Sequence, residues 1–547
     1  AQCLVGSEMC IRDRCNTRTE NGALSNSSTG DRLVDQFGKS GAYRGRSFEE
    51  VFADQSALWG ENPLNALKLP FYLRMVTRKA KTYDGKSTET VQKGQGNKDE
   101  SFKRLLWIAS YHPDSFYKNL WLLPIVGSWK DLWYLLYLDR DTNILDKKKI
   151  FQVIAEGIDD DYQRDLVKKY LPRIRSTKSP RCKSDWEVTT NSLAKEFCRF
   201  IGWNAATYRK FKSTGKAHEF QKIICAGLYK DLNFNTIPGK ALTSLVSKDF
   251  LDRHSLVDKY VKWLDTQPVA KFTGYPYELG KVLSDCRSYN GLQLRLYRKM
   301  TIDKQFEALL EKASKDQGGI TGNVWCALDT SGSMGTKVVG DISAFDICIS
   351  LGIYFSSLNK GAFNKNVIMF DNVSHVKSLS GTFSDMYNQI ISESTAWGST
   401  NFQSVIDEIC RIRKTNPTVP LEDYPTTLLV VSDMQFNPSN RWDRSSSSSE
   451  EQTNYQTAMA KLSSCFPKEF VDKFRIIWWD CTGRCKDFPS TIDDKGTYVM
   501  SGFDGAIVTL LLGGAEVDEE TGEVKQLSMQ EMVDKALSQE LLTFLSV

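Results

Sequence analysis

The chain has 547 residues, of which 41% are hydrophobic and 25% are charged, so two or three folded domains are expected. No apolar run approaches the ~20 residues that cross a bilayer. The longest run, residues 505–515, ends in glycines. The composition therefore indicates a soluble globular protein without a predicted membrane-spanning helix.

The net charge is only +4, but it is divided unevenly along the chain. Residues 321–547 contain 18 Lys and Arg against 29 Asp and Glu, whereas residues 161–230 contain 16 basic residues against 6 acidic ones. A chain divided in this way predicts two domains with different partners.

The first 44 residues, 1–44, are predicted to be a disordered or non-native leader. The opening stretch, AQCLVGSEMCIRDRCNT, resembles a translated library adaptor and lacks the basic start and apolar core of a signal peptide. Residues 21–32, NGALSNSSTGDR, are polar and are typical of disorder. We therefore expect the folded part of the chain to begin near residue 45.

The use of cysteine indicates a reducing compartment. The 13 cysteines are odd in number and scattered, and Cys225, Cys326 and Cys348 lie in apolar runs, which is typical of reduced thiols in a cytoplasmic protein. A nuclear location is the alternative. The close pair in CTGRC, residues 481–485, leaves a metal or redox role open, but four His in the whole chain do not favour a zinc site.

Residues 45–315 are predicted to form an all-α domain. Stretches such as SFKRLLWIASYH carry apolar residues at helical spacing, and Ser101, Asp114 and Ser128 are candidate N-caps. Roughly a dozen such segments joined by short loops indicate a helical-repeat, HEAT-like array. No fixed sequence period accompanies them.

From about residue 320 the pattern changes to apolar strands that alternate with amphipathic helices. The main predicted strands are NVWCALD (323–329), NVIMFD (366–371), TTLLVVSD (426–433) and FRIIWWD (474–480). HVKSLSG (375–381) is expected to pair with the second of them. This alternation predicts a doubly wound, mainly parallel sheet covered on both faces over residues 320–547. The predicted fold class is therefore multidomain, with an N-terminal all-α helical-repeat domain and a C-terminal α/β domain.

Three loops at the carboxyl ends of these strands supply side-chain oxygens. Asp329 ends the first strand in CALDTSGSMG, and Asp433 occupies the same place on a later strand, where ligands of a doubly wound sheet bind. In D-x-S-x-S, alternate residues of an extended turn face one side. Oxygen ligands without His or Cys suit Mg²⁺ or a similar divalent cation such as Mn²⁺. The candidate metal ligands are Asp329, Ser331, Ser333, Thr400 and Asp433.

The segments DTSGSMG, GSTNFQS and VVSDMQF resemble the metal-ion-dependent adhesion site of von Willebrand factor A domains, and all five positions match. The resemblance implies that residues 320–547 form such a domain. It also implies a divalent cation that leaves one coordination position for an acidic residue of a partner protein, and hence binding rather than catalysis. A structural ion site, or the fold without an ion, is the alternative.

A helical array followed by an A domain also resembles the architecture of Ro ribonucleoproteins, the TROVE family, in which helical repeats bind RNA. The layout is similar to that of a plant, fungal and giant-virus family as well, on segments such as GSWKDLWYLLY (127–137) and GYPYELGK (274–281). The resemblance implies a ribonucleoprotein component. No residue-by-residue match carries the RNA contacts of the Ro family onto this chain.

Basic and aromatic residues between 162 and 216 give RNA binding a physical basis. Single-stranded nucleic acid is held by cations on its phosphates and by aromatic or Arg side chains on its bases. The alternative is a solvated helix face with the aromatic rings in the core. The candidate RNA contacts are Lys168, Lys169, Arg173, Arg175, Lys178, Arg181, Lys183, Arg209, Lys210, Lys212 and Lys216.

The segment SGSMG approaches the G-x-S-x-G nucleophile elbow with Ser333 at its centre, but Ser331 replaces the first Gly. A hydrolase of that type also needs a His late in the chain, whereas His375, the only His after Ser333, precedes Asp433. The P-loop pattern G-x-x-x-x-G-K-[ST] is absent from the sequence. We therefore expect no enzymatic activity, no membrane partner and no nucleotide cofactor.

The sequence thus predicts a non-enzymatic, RNA-binding ribonucleoprotein component whose A domain carries a divalent-cation site. The alternative is a protein-interaction scaffold that recruits an acidic partner through the metal site without RNA. The two predictions differ in whether the basic stretch or the metal site binds the partner.

Overall fold

The structure of the chain, a computed structural model, describes residues 17–547 with gaps at residues 77, 82–88, 176–183, 215–217, 269, 273, 289–294, 317–322, 395–397, 440–451, 504–515, 518–523 and 526. The candidate RNA contacts Lys178, Arg181, Lys183 and Lys216 lie outside the described residues. Among the described residues, no helix combines the length and the apolar character that crossing a membrane requires.

The first 228 residues contain two small strand pairs and many helices. The antiparallel pairs are β1 (Thr17–Arg18) with β2 (Leu24–Ser25), and β3 (Arg78–Lys81) with β4 (Glu89–Gln92). The helices are α1 (Arg32–Ser40), α2 (Phe48–Glu61), α3 (Pro63–Arg74), α4 (Lys98–Tyr111), α5 (Pro113–Asn119), α6 (Leu123–Val126), α7 (Lys130–Leu138), α8 (Lys147–Asp159), α9 (Arg164–Tyr170), α10 (Asp185–Phe200), α11 (Ala205–Ser213) and α12 (Glu219–Cys225).

The remainder of the chain begins with further helices and then alternates strands with helices. The strands are β5 (Val324–Asp329), β6 (Lys337–Val339), β7 (Ile342–Ser343), β8 (Asn366–Phe370), β9 (Ser374–Ser378), β10 (Thr427–Ser432), β11 (Arg475–Asp480), β12 (Thr497–Ser501), β13 (Glu516–Val517) and β14 (Val524–Lys525). The helices are α13 (Gly239–Ser247), α14 (Phe250–Arg253), α15 (Val257–Asp265), α16 (Pro276–Ser288), α17 (Leu296–Asp316), α18 (Ala344–Leu358), α19 (Phe383–Glu393), α20 (Phe402–Thr415), α21 (Asn454–Cys465), α22 (Lys468–Val471), α23 (Met529–Leu537) and α24 (Glu540–Thr543).

The chain divides into two compact units. The helical unit comprises the described parts of residues 45–228 and 535–547, and the sheet unit comprises those of residues 1–44 and 229–534. The prediction of a helical N-terminal region and a C-terminal α/β sheet domain is confirmed at this level. The limits of the units differ from the predicted ones, because the helices between 229 and 316 belong to the sheet unit.

These helices belong to the sheet unit because they pack on its own helices. In α16, a Cβ on Gly280 would come within 2.3 Å of the Ser350 hydroxyl of α18. In α17, the ring of Phe306 stacks on Phe383 of α19 with centroids 4.3 Å apart. A helical pattern in the sequence shows that a face is apolar, but it does not show which neighbour covers that face.

The expectation that residues 1–44 form a disordered or non-native leader is wrong for the described residues 17–44. Helix α1 packs against β12 and buries Val34 and Phe37. The Lys39 ammonium is buried as well and donates to the carbonyls of Cys485 at 2.7 Å and Asp487 at 2.5 Å. The polar residues of this segment bond to loops far along the chain, and composition alone cannot reveal such partners.

Helix starts lie near the predicted N-caps without coinciding with them. Helix α4 begins after Asn97, whose side chain caps it, so Ser101 lies inside the helix. Helix α5 begins with Pro113, which Asp114 follows. Ser128 lies two residues before α7. An Asn cap or an N-terminal proline starts a helix as effectively as the residues that the sequence favoured.

The main sheet has six strands in the order β12-β11-β10-β5-β8-β9, and all its pairs are parallel except β8 with β9. Every residue of β5 and β10 is buried, which requires cover on both faces of the sheet. Helix α18 packs on β5, β8 and β10, and α20 packs on β8 and β9. The mainly parallel sheet and the antiparallel pairing of its edge strand agree with the sequence.

Gly352 of α18 lies so close to β5 that any side chain at this position collides with Leu328, since a Cβ would lie 2.3 Å from its Cδ2 atom. We predict that Gly352→Ala lowers the free energy of unfolding by about 1–3 kcal/mol, because the packed core has no room to shift. Calorimetric unfolding measures this change. The control is Gly60→Ala in α2, where a Cβ meets nothing within 4 Å, and it should stabilise the chain by roughly 0.5–1 kcal/mol. Wild-type melting of Gly352→Ala would contradict the prediction.

Candidate metal centre

Asp329 and Asp433 stand at the ends of neighbouring parallel strands. Asp329 is the last residue of β5, and Asp433 directly follows β10. The two strands pair with Leu328 opposite Val431. Because the carboxyl ends of parallel strands meet at one edge of a sheet, this register brings both aspartates to the same edge, which we call the carboxyl rim.

The turn after Asp329 carries the two predicted serine ligands. The Ser331 amide donates to Asp329 Oδ1 at 2.9 Å, and the hydroxyl oxygens of Ser331 and Ser333 are 3.1 Å apart. Residues Gly332–Gly335 form a single 3-10 turn that contains the exposed Ser333, and the buried Ser331 directly precedes it. Three of the five candidate ligands therefore lie together on one turn.

The other two candidate ligands lie on loops that main-chain hydrogen bonds join. The Asn437 amide, four residues beyond Asp433, donates to the Thr400 carbonyl at 2.8 Å. The Asn401 amide donates to the Asp371 carbonyl at 2.7 Å, which fixes the Thr400 loop at the end of β8. Thr400 itself is buried. All five candidate ligands thus lie on the carboxyl rim.

Ser432, which the sequence reasoning missed, orients the Asp329 carboxylate. Its hydroxyl donates to Asp329 Oδ2 at 2.6 Å and accepts from the Met434 amide at 3.0 Å. In the sequence, Ser432 closes the apolar run LLVVS and reads as a core residue. The sequence feature that could have identified Ser432 is a hydroxyl at the last buried position of a strand, directly before an aspartate.

Burial and mutual repulsion disfavour the charged form of the Asp329 carboxylate. Asp329 is fully buried, and Asp433 is 4% exposed. Burial, followed by the negative charge of Asp433, raises the pKa of Asp329 to about 7, whereas hydrogen bonds from Ser331 and Ser432 lower it. A cation beside the two carboxylates offsets both unfavourable effects. The electrostatics of the carboxyl rim therefore favour cation binding.

The donor chemistry also fits a hard divalent cation. An ionised carboxylate has about four acceptor positions, and Asp433 uses one of them to accept from the Gln435 amide at 3.2 Å. In the part of the chain that the structure describes, no three His, Cys, Asp or Glu side chains gather as metal ligands. Hydroxyls and water would complete the coordination shell of a cation bound here, as they commonly do for Mg²⁺. The residues that would hold the ion are Asp329, Ser331, Ser333, Thr400 and Asp433.

Buried thiols lie on the core side of the carboxyl rim. The Cys348 thiol donates to the Val431 carbonyl at 3.4 Å, and the Cys481 thiol donates to the Ser432 carbonyl at 3.3 Å. Burial raises the pKa of both thiols, and it raises the pKa of Cys485 to about 11. Both cysteines of CTGRC are free. Such thiols lack the exposure and low pKa of reactive cysteines.

A polar cleft of about 1080 Å³ opens beside Thr400. Along one wall, Asn437 Nδ2 donates to the Ser399 hydroxyl at 2.8 Å, and this hydroxyl donates to Asn372 Oδ1 at 2.6 Å. The lining also includes two ion pairs, Arg411–Glu408 and Lys461–Asp407. Amides and hydroxyls of this kind match the alternating donors and acceptors of a peptide main chain.

The candidate RNA contacts that the structure describes divide into exposed and internally bonded residues. Arg175 Nη1 forms an ion pair with Glu187 Oε1 at 3.2 Å. Lys168 Nζ lies 3.5 Å from Asp165 Oδ1 and 4.8 Å from the ring centroid of Phe211. Helices α9 and α11 pack together, so most of the candidates share one region. The exposed candidates are Lys169, Arg173, Arg209 and Lys210, of which Arg209 also donates its Nε to the Ile174 carbonyl at 3.3 Å.

Lys212, another candidate RNA contact, has a structural role inside the helical unit. Its ammonium donates to the carbonyls of Lys168 at 3.2 Å and Leu171 at 2.5 Å, at the end of α9. Burial, followed by the charge of Arg173, lowers the pKa of Lys212 to about 8. A lysine held in this way satisfies the last carbonyls of a helix instead of presenting its charge to solvent.

Comparisons with known proteins cover most of the chain. Residues 324–543 match a family model described as Domain of unknown function (DUF7788), and residues 19–196 match one described as Domain of unknown function (DUF2828). An uncharacterized protein of Acanthamoeba polyphaga mimivirus is 21% identical over 532 residues, which cover 91% of this chain and 85% of the viral protein. The chain is therefore similar to a giant-virus protein over both of its halves.

The lowered pKa of Lys212 predicts a pH-dependent contribution to stability. The folded chain releases this proton near pH 8 and the unfolded chain near pH 10.5, so between these values the unfolded chain binds more protons and the contribution of Lys212 to the free energy of unfolding rises with pH. We predict that the free energy of unfolding of the wild type rises relative to that of Lys212→Met between pH 8 and pH 10.5. Urea unfolding at several pH values measures it.

The matched control for this measurement is Lys169→Met, at an exposed position of α9. Its difference from wild type should not change with pH, because the Lys169 side chain is exposed in the folded chain as it is in the unfolded one. If Lys212→Met also differs from wild type by a constant amount, the buried amine does not titrate as proposed.

Proposed function

We propose that the sheet unit is a von Willebrand factor A domain, that its metal-ion-dependent adhesion site holds Mg²⁺ or Mn²⁺, and that the chain binds an acidic segment of a partner protein through this ion. The observation that carries the proposal is the burial of Asp329 and Asp433 at neighbouring strand ends, beside the paired hydroxyls of Ser331 and Ser333. Buried carboxylates need a compensating positive charge, and an all-oxygen donor set selects a hard cation.

The bound cation would supply a Lewis-acidic position for a carboxylate of the partner. The residues of the chain set the charge and the access of that position. Asp329 and Asp433 balance the charge of the ion, and Ser432 holds the Asp329 carboxylate in one orientation. Ser333 is exposed, so its hydroxyl lies on the side of the carboxyl rim from which a ligand arrives. This division of roles describes a binding site without a catalytic group.

The polar cleft beside Thr400 supports a peptide as the ligand. Ser399 and Asn401, the chain neighbours of Thr400, both line the cleft, so a peptide whose acidic residue reached the ion would continue into it. Among the described residues, the lining contains no aromatic ring on which a base or a sugar could stack. The amides of Asn372 and Asn437 offer the hydrogen bonds that an extended main chain needs.

RNA binding by the helical unit is a second candidate function. It is favoured by the exposure of Lys169, Arg173, Arg209 and Lys210 on or next to two helices that pack together. Phosphates of single-stranded RNA would bind these cations. The order of a helical region before an α/β sheet domain resembles Ro ribonucleoproteins, and in this proposal the chain is a cytoplasmic ribonucleoprotein component.

Cation binding tests the first proposal directly. We predict that the full chain binds Mn²⁺ at a single site in isothermal titration calorimetry, and that EDTA removes it. Asp329→Ala and Asp433→Ala should each weaken binding by about 100-fold or more, because each variant removes a charged ligand from a site with two carboxylates. A wild-type chain that binds no Mn²⁺ at millimolar concentration would sink the proposal.

The matched control for the cation site is Thr330→Val, which keeps the shape of a residue between two candidate ligands. The Thr330 hydroxyl donates to the Phe370 carbonyl at 3.1 Å, so it is committed to β8 and not to the ion. Mn²⁺ affinity of this variant should equal that of the wild type. A loss as large as that of Asp329→Ala would assign the effect to disruption of the turn.

The RNA proposal predicts that the affinity for single-stranded RNA falls steeply with added salt. Reversing the four exposed charges with Lys169→Glu, Arg173→Glu, Arg209→Glu and Lys210→Glu should reduce the slope of log K against log salt by about 2–3, because each phosphate contact contributes about 0.7. Fluorescence anisotropy with a labelled oligouridine measures the slope. Lys148→Glu, at an exposed position of α8, is the control and should leave it unchanged. If the chain does not bind the oligouridine even at low salt, the RNA proposal is wrong and only the protein-binding proposal remains.

A further inference from the structure

The first described residues of the chain lie on the loop that follows β11. We define the N-terminal strap as residues 17–30, which contain β1, β2 and the turn between them. The amide of Asn26 donates to the Phe488 carbonyl at 2.9 Å, and the amide of Phe488 donates to the Asn26 carbonyl at 2.7 Å. Further along, the Ile492 amide donates to the Thr29 carbonyl at 2.8 Å. One end of the strap is therefore fixed beside the carboxyl rim.

The turn of the strap binds the loop that follows β10. Thr19 donates its hydroxyl to the Phe436 carbonyl at 2.6 Å. The Glu20 amide donates to Gln435 Oε1 at 2.7 Å, and Asn21 Nδ2 donates to the Gln435 carbonyl. Three hydrogen bonds from three consecutive strap residues thus hold two consecutive residues of this loop.

The same loop contains a strained residue next to a candidate metal ligand. Met434, directly after Asp433, has φ +64°, a left-handed conformation that is unfavourable for a residue with a side chain. On its far side, the Gln435 amide donates to Asp433 Oδ1 at 3.2 Å. A strained backbone of this kind persists only where its surroundings fix it. The strap supplies part of that fixation, since it bonds to both Gln435 and Phe436.

We propose that the N-terminal strap controls cation binding at the carboxyl rim by holding the loop after β10 in the conformation that directs Asp433 towards Asp329. The inference rests on the proposed function, and it assigns a regulatory segment to the same site. When the strap is released, Met434 can relax to an ordinary backbone conformation. The Asp433 carboxylate then loses its fixed direction, and the rim loses the second of its two charges.

The strap acts on the loop without being needed for the strands that carry the site. β10 is paired along its length with β5 on one side and β11 on the other. The strap contacts described above are made to residues after the strands, at 435–436, 488 and 492. Removing the contacts to 435–436 therefore leaves the sheet paired and changes the loop alone.

Thermodynamic linkage makes the effect reciprocal. If the bound strap raises the affinity for the cation, then the cation must favour the bound strap by the same factor. The Glu20 amide, which donates to Gln435, reports this directly through hydrogen exchange. Its exchange should be slower in the presence of Mg²⁺ than in the presence of EDTA, and this difference should vanish in Asp433→Ala. Mg²⁺ replaces Mn²⁺ in this measurement because it does not quench the signal. A segment that served only for stability would not respond to the cation.

Calorimetric titration of the full chain with Mn²⁺ tests the inference. The double variant Thr19→Val with Asn21→Ala removes two of the three strap contacts to residues 435–436, and we expect it to bind Mn²⁺ about 5- to 10-fold more weakly than the wild type. Thr19→Ser keeps the hydroxyl and should keep the wild-type affinity. Glu20→Ala is the matched control, because its exposed side chain is removed while its amide still donates to Gln435.

The possible outcomes separate the proposed cation site from the proposed control of that site by the strap. A wild-type chain without Mn²⁺ binding overturns the proposed function and this inference with it. A wild-type chain that binds Mn²⁺ while the double variant binds equally well overturns the strap alone. If Glu20→Ala weakens binding as much as the double variant does, the charge of the segment and not its hold on the loop is responsible. Calorimetric melting of the double variant verifies that the sheet unit is folded.

Discussion

Two carboxylates lie buried at one edge of the sheet because β5 and β10 run parallel and in register, and the rest of the carboxyl rim is arranged around their repulsion. The pairing of Leu328 with Val431 ends the two strands within one residue of each other, so Asp329 and Asp433 lie at the same edge of the sheet. Burial disfavours the charged form of Asp329 and the charge of Asp433 adds to this effect, so the pKa of Asp329 rises to about 7. The Ser331 amide and the Ser432 hydroxyl each donate to this carboxylate and offset part of the effect. These two hydrogen bonds do not balance the negative charge of the two carboxylates, which a positive charge beside them would offset.

The geometry of such a site depends on loops, and these loops are fixed by one another more than by the sheet. The Thr400 loop accepts from the Asn437 amide and donates the Asn401 amide to the Asp371 carbonyl, and the loop after β10 is held by the N-terminal strap. Fixing a loop costs conformational entropy, which local hydrogen bonds must offset. The strained φ of Met434 shows that the loop after β10 is fixed, since a free loop would not keep it. Ligand positions on the carboxyl rim are therefore a collective property of segments far apart in the sequence.

The sequence predicted the strands well because they are buried on both faces, so β5, β10 and β11 read as apolar runs that end in aspartate. It also singled out Asp329, Ser331 and Ser333, because their spacing is local. It missed what depends on distant partners. The pairing of Asn26 with Phe488 spans 462 residues, so the segment around Asn26 looked disordered. Ser432 was not singled out, because its role appears only when β5 lies beside it. The helices after residue 229 were assigned to the helical domain, because their sequence does not show which neighbours they pack on.

Charge composition overstates the number of cations that are free to meet a partner in this chain, because several lysines bond to the backbone. Lys39, Lys212, Lys259 and Lys304 each donate to two main-chain carbonyls, several of them at helix ends. A lysine used in this way adds to the net charge, but its ammonium is bonded to carbonyls and is not available to contact a phosphate. The basic stretch therefore offers RNA fewer cations than its composition suggests. The two aspartates of the carboxyl rim have the opposite property: they change the net charge little, but their burial side by side gives a cation a specific reason to bind.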